Sequence, residues 1–181
     1  MTRILLLRGI NVGGKRSLPM QELAALLAGL GCKAVRTYIQ SGNAVVEAPV
    51  ALAAKLPQAL QAAIHKRFGF EVPVIQREAA QLKAAIKASP FLKAGADPKS
   101  LHLGFLAAKP TAAQVAELKP VLAPGEDFKV LGQEIHLHFP LGLAKTKLNN
   151  AYIDSRLKTV CTVRNWNTVQ ALLALAEGKD A

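Results

Sequence analysis

The sequence is short of acids: 12 Asp and Glu stand against 23 Lys and Arg in 181 residues, a formal charge of +11. So few carboxylates leave few general bases, which weighs against hydrolase chemistry. Cysteine is nearly absent. Cys32 and Cys161 lie far apart without CxxC spacing, which argues against both a disulfide scaffold and a zinc ribbon. Both read as small buried apolar residues. No apolar run approaches the ~18 residues a membrane span needs, and the run Ile4 to Leu7, broken by Arg8, is too short for a signal peptide. The expectation is a cytoplasmic protein with no membrane partner. Histidine is sparse as well. His136-x-His138 puts two imidazoles on one strand face about 7 Å apart, but no nearby acid or Cys completes a ligand set, so no metal is expected. Neither Ser-His-Asp nor Cys-His chemistry can be read with any specificity, and no cofactor is implied.

What is present is apolar mass and positive charge. At 51% apolar residues the chain has ample material for a core, in one large domain or two small lobes. The positive charge is uneven. Residues 1–77 carry 10 Lys and Arg against 3 Glu, whereas 78–181 carry 13 against 9 acids. Such a balance favours anionic partners, without specifying one.

The densest signal is Arg8-Gly-Ile-Asn-Val-Gly-Gly-Lys15. It follows the apolar run Ile4 to Leu7, read as a buried central strand, and precedes a helix opened by Pro19 with Met20, Leu23, Leu26, Leu27 and Leu30 on one face. Glycines reach positive φ at little cost, so successive backbone N–H groups in this loop can converge on an anion, with Arg8, Lys15 and Arg16 beside them. The alternative is a purely structural strand-to-helix turn. The G-x4-G-K spacing imitates a nucleotide-binding P-loop but departs from it: Arg16 stands where Mg²⁺ needs Ser or Thr, and no apolar strand ends in a suitable Asp.

The remaining elements follow in order. Val35 to Gln40 and Ala44 to Glu47 flank the turn Ser41-Gly42-Asn43, a hairpin. Leu52, Leu56, Leu60, Ile64 and Phe68 mark a second helix, with Pro57 predicting a start there or a kink, and Val72 to Ile75 is a strand. Residues 3–77 thus spell β-α-β-β-α-β. A linking helix (77–88) and a loop (89–100) follow. Leu101 to Ala107 then reads as a strand, Thr111 to Gln114 as a capping box, Phe128 to Leu131 and Glu134 to Phe139 as a hairpin about Gly132-Gln133, Leu148 to Leu157 as a helix, Thr159 to Val163 as a strand and Asn165 to Ala176 as a closing helix. The predicted class is α+β: two ferredoxin-like lobes with antiparallel sheets, 1–77 and 78–181, plus an extra C-terminal helix.

Two further polar clusters stand out. Tyr38-Ile-Gln-Ser41-Gly-Asn43 offers a hydroxyl, amides and a turn Ser, although hairpin geometry alone also accounts for Gly42 and Asn43. Arg164-Asn165-Trp166-Asn167 lies where a strand passes into a helix, whose free N–H groups attract anions and whose cap either Asn can supply. Trp166 is open to two readings, core anchor or stacking platform.

Leu6 to Lys15, Tyr38 to Asn43 and Thr162 to Val169, in that order, resemble the corresponding motifs of DUF1697, a family of uncharacterised bacterial proteins. Ser89-Pro90-Phe91 and Pro124-Gly-Glu126 fit as linking pieces. The resemblance implies an α+β protein with two ferredoxin-like lobes and carries no activity with it. The expected function is non-hydrolytic binding of an anion, namely a phosphorylated small molecule, a nucleotide or nucleic acid, between the lobes. The site would comprise Arg8, Asn11, Gly13, Gly14, Lys15, Tyr38, Ser41, Asn43, Arg164, Asn165, Trp166 and Asn167. A transferase-like enzyme and an oligomerising scaffold are the alternatives, so catalysis and oligomeric state stay open.

Overall fold

A computed structural model describes residues 1–180. The chain forms two compact units, Met1–Lys83 with Gln170–Ala181, and Ala84–Val169.

In the first unit the strands are β1 (Thr2–Leu7), β2 (Lys33–Tyr38), β3 (Asn43–Glu47) and β4 (Val74–Arg77). They form one sheet in the order β2-β3-β1-β4, and every pairing is antiparallel. The helices are α1 (Met20–Gly29), α2 (Val50–Ala53) and α3 (Leu56–Phe68). Pro57 sits in the first turn of α3, where its missing N–H costs nothing, so the proline starts a new helix after a break at Ala54-Lys55. Strand alternation places Leu5, Leu7, Ala44, Val46 and Val74 on one face, and there they pack with Leu23 and Leu27 of α1 and Leu56, Leu60 and Ile64 of α3. Ile4, Leu6, Val45 and Ile75, which point the other way, are also buried.

The second unit repeats the plan. Its strands are β5 (Leu101–Leu106), β6 (Asp127–Leu131), β7 (Glu134–His138) and β8 (Cys161–Asn165), in the antiparallel order β6-β7-β5-β8. Helix α4 (Ala79–Ala88) leads in, followed by α5 (Pro90–Lys93), α6 (Ala112–Ala116), α7 (Asn150–Leu157) and the first turn of α8 (Trp166–Ala176), whose residues from Gln170 on belong to the first unit. The expected capping box is formed reciprocally by Thr111 and Gln114. The stretch expected as a loop from Ser89 holds a short helix instead, because the Ser89 hydroxyl accepts from the Leu92 amide and Pro90 presets the first helical φ. The last strand begins two residues later than its apolar pattern implied, at Cys161, whose amide donates to Asp154 Oδ1. Leu106, Ile135, Leu137, Cys161 and Val163 form the core with Ile153 and Leu157 of α7. Among the described residues no helix is long and apolar enough to cross a membrane.

Candidate functional site

The glycine-rich loop leaves β1 at Arg8, whose amide donates to the Pro73 carbonyl at 2.9 Å. It is a miniature hairpin. The Asn11 amide donates to the Arg16 carbonyl at 3.2 Å and the Lys15 amide to the Val12 carbonyl at 3.1 Å, with Gly13 and Gly14 at the tip. Both tip glycines carry positive φ, 59° and 71°, as a type I′ turn requires. Two anchors fix the base: Ile10, 2% exposed, and Leu18, fully buried, both within the core. Between them, residues 12–17 are all exposed.

Asn11 holds this shape. Its side-chain NH2 donates to the Leu18 and Gln40 carbonyls, both at 2.9 Å, while its Oδ1 accepts from the Leu18 amide at 2.8 Å. One side chain thus closes the loop and ties it to the β2–β3 turn. Asn11 itself has φ 55°, a conformation Asn tolerates better than other non-glycine residues. The turn approaches closely at Gly42: a Cβ there would lie 2.7 Å from both Leu7 Cβ and Ile10 Cδ1. The Leu7 amide donates to the Gly42 carbonyl at 2.8 Å.

Within the turn, buried Asn43 donates to the Tyr38 carbonyl at 3.1 Å and to Ser41 Oγ at 2.9 Å. Tyr38, Ser41 and Asn43 are therefore brought beside the glycine loop, with Asn43 bonded into the turn. The Gly13 and Gly14 amides have no hydrogen-bond partner among the described residues. Nor do Lys15 and Arg16 pair with any carboxylate there. Arg16 Nη1 lies over Gly9, 3.5 Å from where a Cβ would stand. The P-loop imitation goes no further: β1 pairs antiparallel on both sides, and α1 begins at Met20 rather than at the lysine.

The other predicted cluster lies at the β8–α8 junction. Arg164 is 8% exposed, and its Nη1 donates to Thr162 Oγ1 at 2.8 Å and to the Val163 carbonyl at 3.0 Å. Burial pushes its guanidinium down to about 10. Asn165 is the helix cap, its Oδ1 accepting from the Thr168 amide at 2.8 Å. Trp166 is 1% exposed, and its indole N–H has no hydrogen-bond partner among the described residues. Asn167 is exposed.

Some features escaped sequence reasoning. The apolar pattern places Ile39 inside a strand running from Val35 to Gln40, whereas β2 ends at Tyr38 and Ile39 stands in the turn, 51% exposed with φ 49°. No residue pattern announces a β-branched side chain in the left-handed region. His136 is 1% exposed, neither ring nitrogen has a hydrogen-bond partner among the described residues, and burial pushes its pKa down to about 4. Its neighbour His138 stacks on Phe91 at 5.6 Å. Among the described residues no three His, Cys, Asp or Glu gather where a metal ion could be held.

A family model described as "Protein of unknown function (DUF1697)" matches residues 1–136. That span includes the glycine loop and the β2–β3 turn, and stops short of the Arg164 to Asn167 cluster. Among solved structures, a conserved bacterial protein from Streptococcus pneumoniae is similar, with a TM-score of 0.74 at 24% identity, covering 97% of this chain and 98% of that one. At that identity the likeness is one of fold. No curated protein matches the chain. With the family model running from β1 into β7, the chain belongs to the DUF1697 family, whose function is unknown.

Proposed function

We propose that this protein binds anions, phosphate groups above all, at the Arg8 to Arg16 loop, and that each unit is a ferredoxin-like split βαβ module, the first of which carries the loop. The strand orders β2-β3-β1-β4 and β6-β7-β5-β8, with a helix after the first and third strand of each unit, support the second part. One observation carries the first: among the described residues the exposed Gly13 and Gly14 amides have no protein acceptor, and beside them Lys15 and Arg16 have no carboxylate partner. Backbone N–H groups in a turn are fixed dipoles that a phosphate oxygen satisfies, and adjacent cations add Coulomb attraction. Asn11 keeps the turn formed in the free protein, so little ordering entropy is lost on binding. Arg8, at the root of the loop, contributes a guanidinium fork suited to phosphate.

Titration calorimetry with inorganic pyrophosphate at low salt tests the reading. The Arg8→Ala, Lys15→Ala double variant is expected to abolish the heat of binding. Unchanged affinity in a folded double variant refutes the site.

A further inference from the structure

Building on that anion-binding reading, we infer that the loop and the β2–β3 turn together form a docking tip for single-stranded nucleic acid. The shape of the site selects the ligand class. A small molecule needs a concavity that covers most of its surface, yet residues 12–17 are exposed throughout and project as a hairpin. An extended polyanion can lie across such a tip and present phosphates in succession to several cations. Lys15 and Arg16 supply two of them in the exposed loop and Arg8 a third at its root, and the only acid in residues 1–46 is Glu22.

Apolar contacts complete the tip. The Asn11 side chain bonds to the Gln40 carbonyl and so holds the two loops together, and the neighbours of that clasp are Val12, 67% exposed, and Ile39, 51% exposed. Ile39 is held at φ 49°, a conformation that is sterically costly for a β-branched residue. A strained aliphatic side chain kept in solvent beside unpaired cations suits a surface that touches sugars and bases while the Gly13 and Gly14 amides, Lys15 and Arg16 take phosphates. Half-buried Tyr38 precedes it. An anionic membrane fits less well. Val12 and Ile39 offer about seven side-chain carbons between them, fewer than a single myristoyl chain, which by itself binds membranes only marginally.

The test is fluorescence anisotropy with a labelled oligothymidylate of about 15 nucleotides, comparable to the footprint of a single-strand binding module. Each phosphate neutralised on a single strand contributes about −0.7 to the slope of log affinity against log salt, so three cations give about −2. Lys15→Ala with Arg16→Ala is expected to reduce that slope to about −0.7. Ile39→Gly relaxes the backbone, so the fold is kept. It is expected to weaken the oligonucleotide about fourfold, the worth of roughly one buried methylene, while pyrophosphate binding stays unchanged. Oligonucleotide binding with a slope nearer zero than −0.7, or indifferent to Ile39→Gly, overturns the inference. Retained pyrophosphate binding without any oligonucleotide binding overturns it too, and leaves the anion site standing. Loss of both refutes both, and preferential binding to phosphatidylserine vesicles overturns it in favour of a lipid surface.

Discussion

Asn11 is the residue on which the loop's shape turns, and replacing it separates two energies that usually act together. Its side chain makes three hydrogen bonds of 2.8 to 2.9 Å in a half-buried setting. At about 0.5–1.5 kcal/mol net for each, with water replacing part of the loss, their removal costs about 2 kcal/mol. Asn11→Ala also forces a Cβ residue without polar compensation to hold φ 55°, adding about 1 kcal/mol. The sum, about 3 kcal/mol, is a large share of the 5–15 kcal/mol that holds a typical domain together. Asn11→Gly loses the same hydrogen bonds but suits the backbone, so it is expected to cost about 1 kcal/mol less than alanine. Asn11→Asp keeps the acceptor for the Leu18 amide yet turns a second oxygen toward the Leu18 and Gln40 carbonyls. It should therefore be at least as damaging as alanine at neutral pH, and should recover somewhat below about pH 4 as the carboxyl protonates. Urea denaturation followed by circular dichroism gives all three values. If all three variants fall within about 0.5 kcal/mol of the parent, the range of ordinary surface substitutions, or if glycine proves as damaging as alanine, the clasp is not what orders the loop.

Three further outcomes are expected. Gly104→Ala would place a methyl 2.5 Å from Ile135 Cγ2 and 3.0 Å from Cys161 Sγ, costing about 1–3 kcal/mol of overpacking; adding Ile135→Ala should give a double variant less destabilised than the sum, and strict additivity would contradict the clash. Ile39→Gly should raise stability by about 1 kcal/mol by removing left-handed strain, readable as a higher urea midpoint, and a lower midpoint would show that the Ile39 side chain packs. His136 is held neutral by burial, with its pKa pushed down to about 4 from 6.5. Between those values the unfolded chain takes up a proton that the folded chain refuses, so stability is intact above about pH 6.5 and is lost by ~3 kcal/mol as the pH falls toward 4. His136→Leu should flatten that acid limb, and an unaltered pH profile would place the acid sensitivity elsewhere.

Much of this architecture was legible because short-range physics dictates it. Short apolar runs bounded by turn residues located eight strands and period-3.6 apolar patterns the longer helices, since each element must bury its apolar residues in a core. Cap chemistry did the same for Thr111 and Gln114, and Pro57 marked the opening of α3. Strand ends were less legible, as at β8, where hydrogen bonding to Asp154 rather than hydrophobicity sets the start.

The glycine loop and its cations could be read from residue order alone, because Gly13-Gly14 permits few other turns and no acid lies within the run. What those side chains do with one another could not. Asn11 reads equally well as a ligand or as a clasp until Gln40, 29 residues away, is brought to it. The exposure and left-handed backbone of Ile39 likewise arise from the register of a hairpin pressed against Ile10 and Leu7 at Gly42. Local sequence determined which elements form and where charge collects. Only tertiary structure decided which polar groups bond to each other and which still face water, because that depends on distances between residues far apart along the chain.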